Sequence, residues 1–480
     1  MTRAPHVGMT APAVLLWITI AAWASTSPAS AAGLRAGVAV EDITPPVGMR
    51  VGGGYSSPIA TGVHDPLLVR AIVLEDGGER AALVVCDLTG VFLPVTDRAR
   101  AEASKATGIP AAHIIISATH THGAPQYAGP IRDIEHARAI AEGGNDPREP
   151  IDYQALVAGR CARAIVRAHA GLRPVAIEVG HAEPRGLAFN RRFHMKDGFV
   201  RFNPGKKNPN IVRAAGPIDE DLPILLLREP GDGGRPVASV VAFALHVATF
   251  GNGQWGADFP GHLEAGLRDR FGPEFVSVFG EGTAGDINHI DVSTDRPQPS
   301  ATEPARIGKA LADAVLAAVP SLGPVEAPAL RAGSARVGLP IQKVTDEQIA
   351  RATDVYLRKV TPTPDFYLLV ESHRVLEARD RRRLFGDHEP AEVQAIRLGA
   401  DTAVVSLPHE VFVEVGLAIK KGSPFRHTFV LSLAEDADFY VPTRRAFAEG
   451  SYEVVTCPLE PGCGEALADA AVGLLRRLKP

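Results

Sequence analysis

Apolar runs rich in Val, Ile and Leu recur along the chain: RAIVLED (70–76), AALVVCDL (81–88), HIIISATH (113–120), PILLLRE (223–229), SVVAFALH (239–246), FVSVFGE (275–281), TAVVSLPHE (402–410) and TFVLSLA (428–434). They lack the alternation of a half-exposed strand. Consecutive apolar residues in an extended segment present side chains to both faces, so these runs predict strands covered on both sides. Between them, residues 152–170, 261–271 and 305–319 carry apolar stripes at helical spacing, such as Leu263, Leu267 and Phe271. Strands interleaved with such helices predict an α/β fold, a mixed β-sheet core covered by helices in one large domain over 32–480. Two polar stretches stand apart. Residues 126–151 follow a histidine pair and are expected to form a loop over a site, while 341–394 contains two charged helical stretches and reads as a helical excursion. No internal repeat is visible.

Composition narrows the function classes. Of 480 residues, 45% are hydrophobic and 22% charged, the balance of a globular protein with a large core. A net charge of −5 and the lack of a basic patch interleaved with aromatics exclude nucleic acid as the expected partner. Arg3, the apolar stretch from Ala11 to Ala24 and the small residues of PASAA predict a signal peptide over 1–31, hence a secreted or periplasmic protein. That apolar stretch is shorter than the ~20 residues a membrane span needs. An exported protein can keep disulfides. Cys457 and Cys463 bracket PLEPG and are expected to bridge, whereas Cys86 and Cys161 sit in apolar surroundings as buried thiols.

Several strands end in a residue able to bind metal. The run 113–119 leads to His120 and His122; 239–245 to His246; 402–408 to His409 and Glu410; 275–281, through GTAG, to Asp286; and 428–434, through EDADFY, to Tyr440. In open α/β sheets ligands bind beyond the carboxyl ends of strands, so these groups are expected to face one cleft. Two histidines and a carboxylate with water completing the shell fit a hydrolytic zinc site. His120 and His122, two residues apart on an extended segment, point to the same side, so one can ligate while the other moves a proton or orients its neighbour. The turn GEGTAGDIN (280–288) permits close backbone approach to an anion or oxyanion, but lacks the Lys-Ser/Thr of a phosphate-binding loop.

Together these segments resemble the neutral/alkaline non-lysosomal ceramidases. The likeness is carried by AGVAVEDITPPVGMRVGGGY, SATHTHGAP, FALHVATFG, GTAGDIN, LPHEVFVEVG and FYVPTRRAFAEGSYE, in family order over nearly the whole mature chain. The resemblance implies Zn2+ held by His120, His246, Glu410 and Tyr440, with His122 as the motif's second histidine. It implies that Tyr452 steadies developing negative charge. Arg191 in FNRRF is similar to an active-site arginine of the family, the alternative being a solvated charge beside Arg192. Asn288 stands where the ceramidases have a serine; it cannot be a nucleophile but can donate to an oxyanion. Asp286 or Asp258 would orient ligands. After Tyr452 the sequence holds one more helical pattern, so the family's C-terminal β domain is expected to be absent. The expected activity is hydrolysis of an N-acyl linkage in a small amphiphilic or lipid-like substrate, with peripheral contact with lipid surfaces. Two alternatives are a zinc hydrolase of another amide, ester or sugar-linked substrate, and a secreted binding protein with structural metal.

Overall fold

The fold is built three times from one plan. The computed structural model describes residues 1–2, 33–249, 251, 253–298, 300–357 and 365–480; the predicted signal peptide falls, but for its first two residues, outside them. The first unit runs β1 (Arg35–Asp42), β2 (Leu68–Asp76), β3 (Glu79–Cys86), α1 (Leu93–Thr107), β4 (Ile114–Ala118), α2 (Pro130–Gly143) and α3 (Tyr153–Ala170). The second runs β5 (Ala176–Ala182), β6 (Leu222–Arg228), β7 (Pro236–Phe243), α4 (Phe259–Phe271), β8 (Val276–Glu281) and α5 (Glu303–Ala318). The third runs β9 (Arg331–Pro340), α6 (Asp346–Leu357), α7 (Phe366–Phe385), β10 (His388–Arg397), β11 (Thr402–Ser406), α8 (Val413–Gly422), β12 (His427–Leu431) and α9 (Cys463–Leu478).

Each unit forms a mixed sheet in which the first three strands pair antiparallel and the fourth lies parallel to the third. A parallel neighbour requires a crossover, and α1, α4 and α8 supply it. The repeat absent from the sequence is therefore present in the topology. Strands apolar on both faces explain how one plan is met by unlike sequences. In β2, Ile72 and Leu74 join a central core shared by all three sheets, while Val69, Ala71 and Val73 face α1 and α3. In β6, Leu225 and Leu227 point to the same central core and Ile224 and Leu226 to α4 and α5; in β12, Phe429 and Leu431 face inward and Val430 outward. α3 lies so close to β1 that a Cβ on Gly37 would fall 1.9 Å from the carbonyl oxygen of Ala168.

The stretch 126–151, expected as a loop, contains the fourteen-residue helix α2, begun by Pro130 at its first position, where proline's missing N–H costs nothing. The excursion 341–394 holds α6 and α7 and then returns as β10. The four cysteines are all thiols. Cys457 and Cys463 are therefore not bridged: each is turned into the core around α9, with Sγ near the carbonyls of Leu459 (3.9 Å) and Pro442 (3.8 Å). Cys86 and Cys161 are buried as expected, with Sγ atoms 3.5 Å apart between β3 and α3. Among the described residues no helix is long and apolar enough to cross a membrane.

Candidate functional site

The carboxyl ends of the three parallel strand pairs meet at one place. Backbone bonds tie them together: Ala118 N donates to Leu433 O (3.1 Å), Ser432 N to Glu281 O (2.9 Å) and His122 N to Val247 O (3.2 Å). The first unit thereby delivers His120 and His122, the second His246 and Glu281, and the third Glu410 and Tyr440.

His120 sits in the left-handed backbone region (φ 71°), a conformation non-glycine residues hold only when their surroundings impose it. Its N–H donates to Leu88 O (2.9 Å), and its Nδ1 lies 2.6 Å from Thr89 O. A ring that donates from Nδ1 to a carbonyl keeps its lone pair on Nε2, the form that ligates metal. That Nε2 lies 3.1 Å from His246 Nε2 and 3.3 Å from Glu410 Oε2. His122 completes a triangle of imidazoles, with ring centroids 5.0 Å from His120 and 5.3 Å from His246. Gly53 makes room for it, because a Cβ there would fall 2.4 Å from His122 Nδ1.

Among the described residues, three buried polar atoms here have no hydrogen-bond partner: His122 Nε2, His246 Nδ1 and Glu410 Oε2. Burial disfavours charge on His120, yet Glu281 and Glu410 outweigh it and raise its pKa to about 9. Burial and the charge of His120 hold His122 down to about 3 and His246 well below the usual imidazole range. Burial lifts Glu281 to about 8. The negative potential that draws a proton onto His120 draws a cation equally well, and the donor set of imidazoles and carboxylate is one zinc accepts. The residues fit a divalent ion. Two other clusters of histidine and carboxylate, Glu389/His409/Asp436 and His136/Asp146/Glu149, already hold guanidinium groups, from Arg381 and from Arg50 and Arg132 respectively.

The tyrosines and arginine named from the resemblance surround this cluster. The Tyr440 ring stacks near His246, with centroids 6.5 Å apart, and lies 5.5 Å from that of Tyr452. Burial, then Glu410, keeps the Tyr440 phenol well above its ordinary pKa. Arg191 is not a solvated charge, and neither is Arg192: both are buried, and both bind Glu453. The Arg191 guanidinium packs 5.2 Å from the ring of Tyr440 and 5.8 Å from that of Tyr452, and donates to Gly285 O (2.6 Å).

Asn288 and Asp286 are engaged elsewhere. Asn288 donates to Asn203 Oδ1 (3.1 Å) and accepts from Ile290 N (3.0 Å), so its bonds hold a turn and reach none of the imidazoles. Asp286 accepts from Val413 N (2.9 Å) and Asn190 Nδ2 (2.7 Å); it braces the backbone just beyond Glu410 and touches no histidine of the cluster. Asp258 accepts from Thr249 N (2.7 Å) and caps α4 at Phe259 N (2.6 Å), anchoring the loop that leaves His246.

A pocket of about 140 Å³ opens onto His120, His122 and Glu410. Gln126, Tyr127 and Ile131 line it, so the first residues of the segment 126–151 border the site. The remaining lining includes residues not singled out from sequence: Tyr55, Phe92, Asp438 and His373 of α7. Glu281, which lies 3.9 Å from His246 Nδ1, was equally unmarked, although it ends an apolar strand as the other candidates do.

Comparison with known proteins bears on the family and the fold. The family described as "neutral/alkaline non-lysosomal ceramidase, N-terminal" matches residues 34–288. No curated protein sequence matches the chain. Among solved structures, the neutral ceramidase from Pseudomonas aeruginosa is similar, with a TM-score of 0.69 and 20% identity, over 94% of this chain and 75% of that one. A structure described as a ceramidase complexed with C2 is similar at a TM-score of 0.67 and 19% identity, over 93% of this chain and 76% of that one.

Proposed function

The chain belongs to the neutral/alkaline non-lysosomal ceramidase family, and from that premise we propose that it is an exported, zinc-dependent hydrolase of N-acyl linkages. The observation that carries this reading is the convergence of His120, His246 and Glu410 from three different units onto a common point, with unsatisfied donor atoms beside an open pocket. These three residues, with Tyr440, would hold the ion. Bound there, zinc supplies Lewis acidity, polarising an acyl oxygen and lowering the pKa of water toward ~7.

The other residues have separable tasks. His122 Nε2, without a hydrogen-bond partner among the described residues, receives and returns the proton. Burial raises the pKa of the Tyr452 hydroxyl; it therefore stays protonated and can donate to a developing oxyanion. Arg191, against both tyrosine rings, fixes their positions and adds positive potential. Glu281 sets the electrostatics behind His246.

The compact pocket and the engagement of Asn288 favour a second reading for the substrate, an amide or related acyl compound other than a long-chain lipid. Export by the 1–31 segment and contact with lipid surfaces belong to the same proposal. The test is metal analysis of the mature chain, followed by acyl release from a panel of N-acyl amides before chelation, after it, and after zinc is restored. Turnover that survives complete metal removal, or an absence of acyl release from every amide by the zinc-loaded protein, would overturn it.

A further inference from the structure

α7 brings to the pocket a side chain that the hydrolytic scheme leaves unused. His373 lines the same cavity as His120, His122 and Glu410. Its ring meets Tyr55 edge-on, with centroids 5.4 Å apart, and the Tyr55 hydroxyl lies 3.3 Å from that of Tyr452. His373 Nδ1 is closed off from solvent but has no hydrogen-bond partner among the described residues. A buried polar atom left in this state costs about 1–3 kcal/mol unless a ligand group or water completes it. Burial pushes the imidazole down to about 4, so near neutral pH the ring is uncharged, with one nitrogen donating and the other accepting. That chemistry suits an uncharged hydroxyl or amide group. A carboxylate or phosphate would call for a guanidinium, and the arginines near the pocket, Arg191 and Arg381, are already paired with carboxylates.

The space is small. At about 140 Å³ it is close to the engineered cavity of roughly 150 Å³ that holds benzene. Phe92, Tyr127, Pro130 and Ile131 give it an apolar wall.

We propose that His373 is a specificity-determining residue, which presents Nδ1 to an uncharged hydroxyl or similar group on the compact portion of the substrate beside Tyr55. The inference rests on the hydrolase reading above for the identity of the ligand, though not for the existence of the contact. A site built to bond a hydroxyl discriminates against the analogue that lacks it, because its own polar atom is then left bare.

The experiment uses the zinc-loaded mature chain with N-butanoyl ethanolamine, its deoxy analogue N-butanoyl ethylamine, and a hydroxybutanoyl ethylamine that places the hydroxyl on the acyl side. The wild type should favour one hydroxylated amide over the deoxy amide by roughly tenfold or more in kcat/KM, the scale of one neutral hydrogen bond. His373→Phe keeps the ring against Tyr55 but removes Nδ1, and should bring that ratio toward one; His373→Asn should restore part of it and serves if the Phe variant folds poorly. A ratio unchanged by both substitutions, or a wild type indifferent to the hydroxyl, overturns the assignment. If the wild type hydrolyses none of these amides, the hydrolase reading fails for this substrate class. Calorimetric binding of the same amides to wild type and variants then decides His373 separately: a preference for the hydroxylated amide that the substitutions abolish supports the assignment, and equal binding overturns it.

Discussion

Replacing Gly285 by Ala tests whether the glycine-rich turn exists to let Glu410 approach. A Cβ at residue 285 would stand 2.5 Å from the carbonyl oxygen of Glu410 and 3.1 Å from its carbonyl carbon. The obstacle is backbone, so no side-chain rotation relieves it. To move from 2.5 Å to the 3.4 Å of ordinary van der Waals contact, the Glu410 strand must retreat by roughly 0.9 Å. The bond from Gly285 N to Val411 O (2.9 Å), and that from Arg191 to Gly285 O (2.6 Å), stretch with it. Overpacking of this kind costs about 1–3 kcal/mol of stability. A displacement near 1 Å of a group at the reacting centre costs about a hundredfold in rate. Urea denaturation, zinc stoichiometry and kcat/KM measured together should therefore show a modest loss of stability and a disproportionate loss of zinc and turnover. Gly323→Ala, whose Cβ would meet nothing within 4 Å, is the control and should stay within about 0.5 kcal/mol. A G285A protein that binds zinc and turns over within about threefold of wild type would refute the reasoning.

His246→Ala removes an imidazole from the middle of the cluster and should abolish both bound zinc and activity; full metal retention would contradict the ligand assignment. Glu389 governs part of the acid stability. Its burial opposes ionisation, but Arg381 and His409 outweigh it and hold the carboxyl down to about 2. Because the folded value lies below the unfolded one of roughly 4.3, the contribution is complete above that pH and is lost as pH falls toward 2, at most about 3 kcal/mol. Urea midpoints at pH 6 and pH 3 should show this loss, and Glu389→Gln should flatten it. Phe429→Ala opens a cavity where the three sheets meet, at a fully buried position, and should cost about 3–5 kcal/mol in denaturation without changing zinc stoichiometry; a cost below 1 kcal/mol would argue against a shared central core.

The strands were readable because runs such as 113–120 and 223–229 are apolar on both faces, and burial on both faces demands little else of a sequence. That same tolerance hid the threefold plan. ALVVC, SVVAF and TAVVS hold equivalent places in their sheets, yet share only an apolar character. α2 was missed because its polar residues face outward, leaving only Pro130 and Ile131 buried. The expected Cys457–Cys463 bridge followed from spacing, but spacing brings two cysteines near one another without joining them, and both remain thiols in the core around α9.

For the site, His120, His246 and Glu410 were legible as side chains able to bind metal, released at strand ends, a position at which loops converge in any α/β sheet. Glu281 had the same placement, inside the run 275–281 and the turn GEGTAGDIN, but was read only as part of them, and its effect depends on a burial that only neighbouring units impose. Tyr55 and His373 reach the pocket from 318 positions apart, so neither local pattern nor motif connects them. Residue chemistry along the chain determined the strands, their covering helices and the donor groups released at the strand ends. The packing of three sheets about one core decided which of those groups meet, which arginines are buried, and which space is left for a substrate, because convergence and exclusion of water are properties of contacts between distant segments.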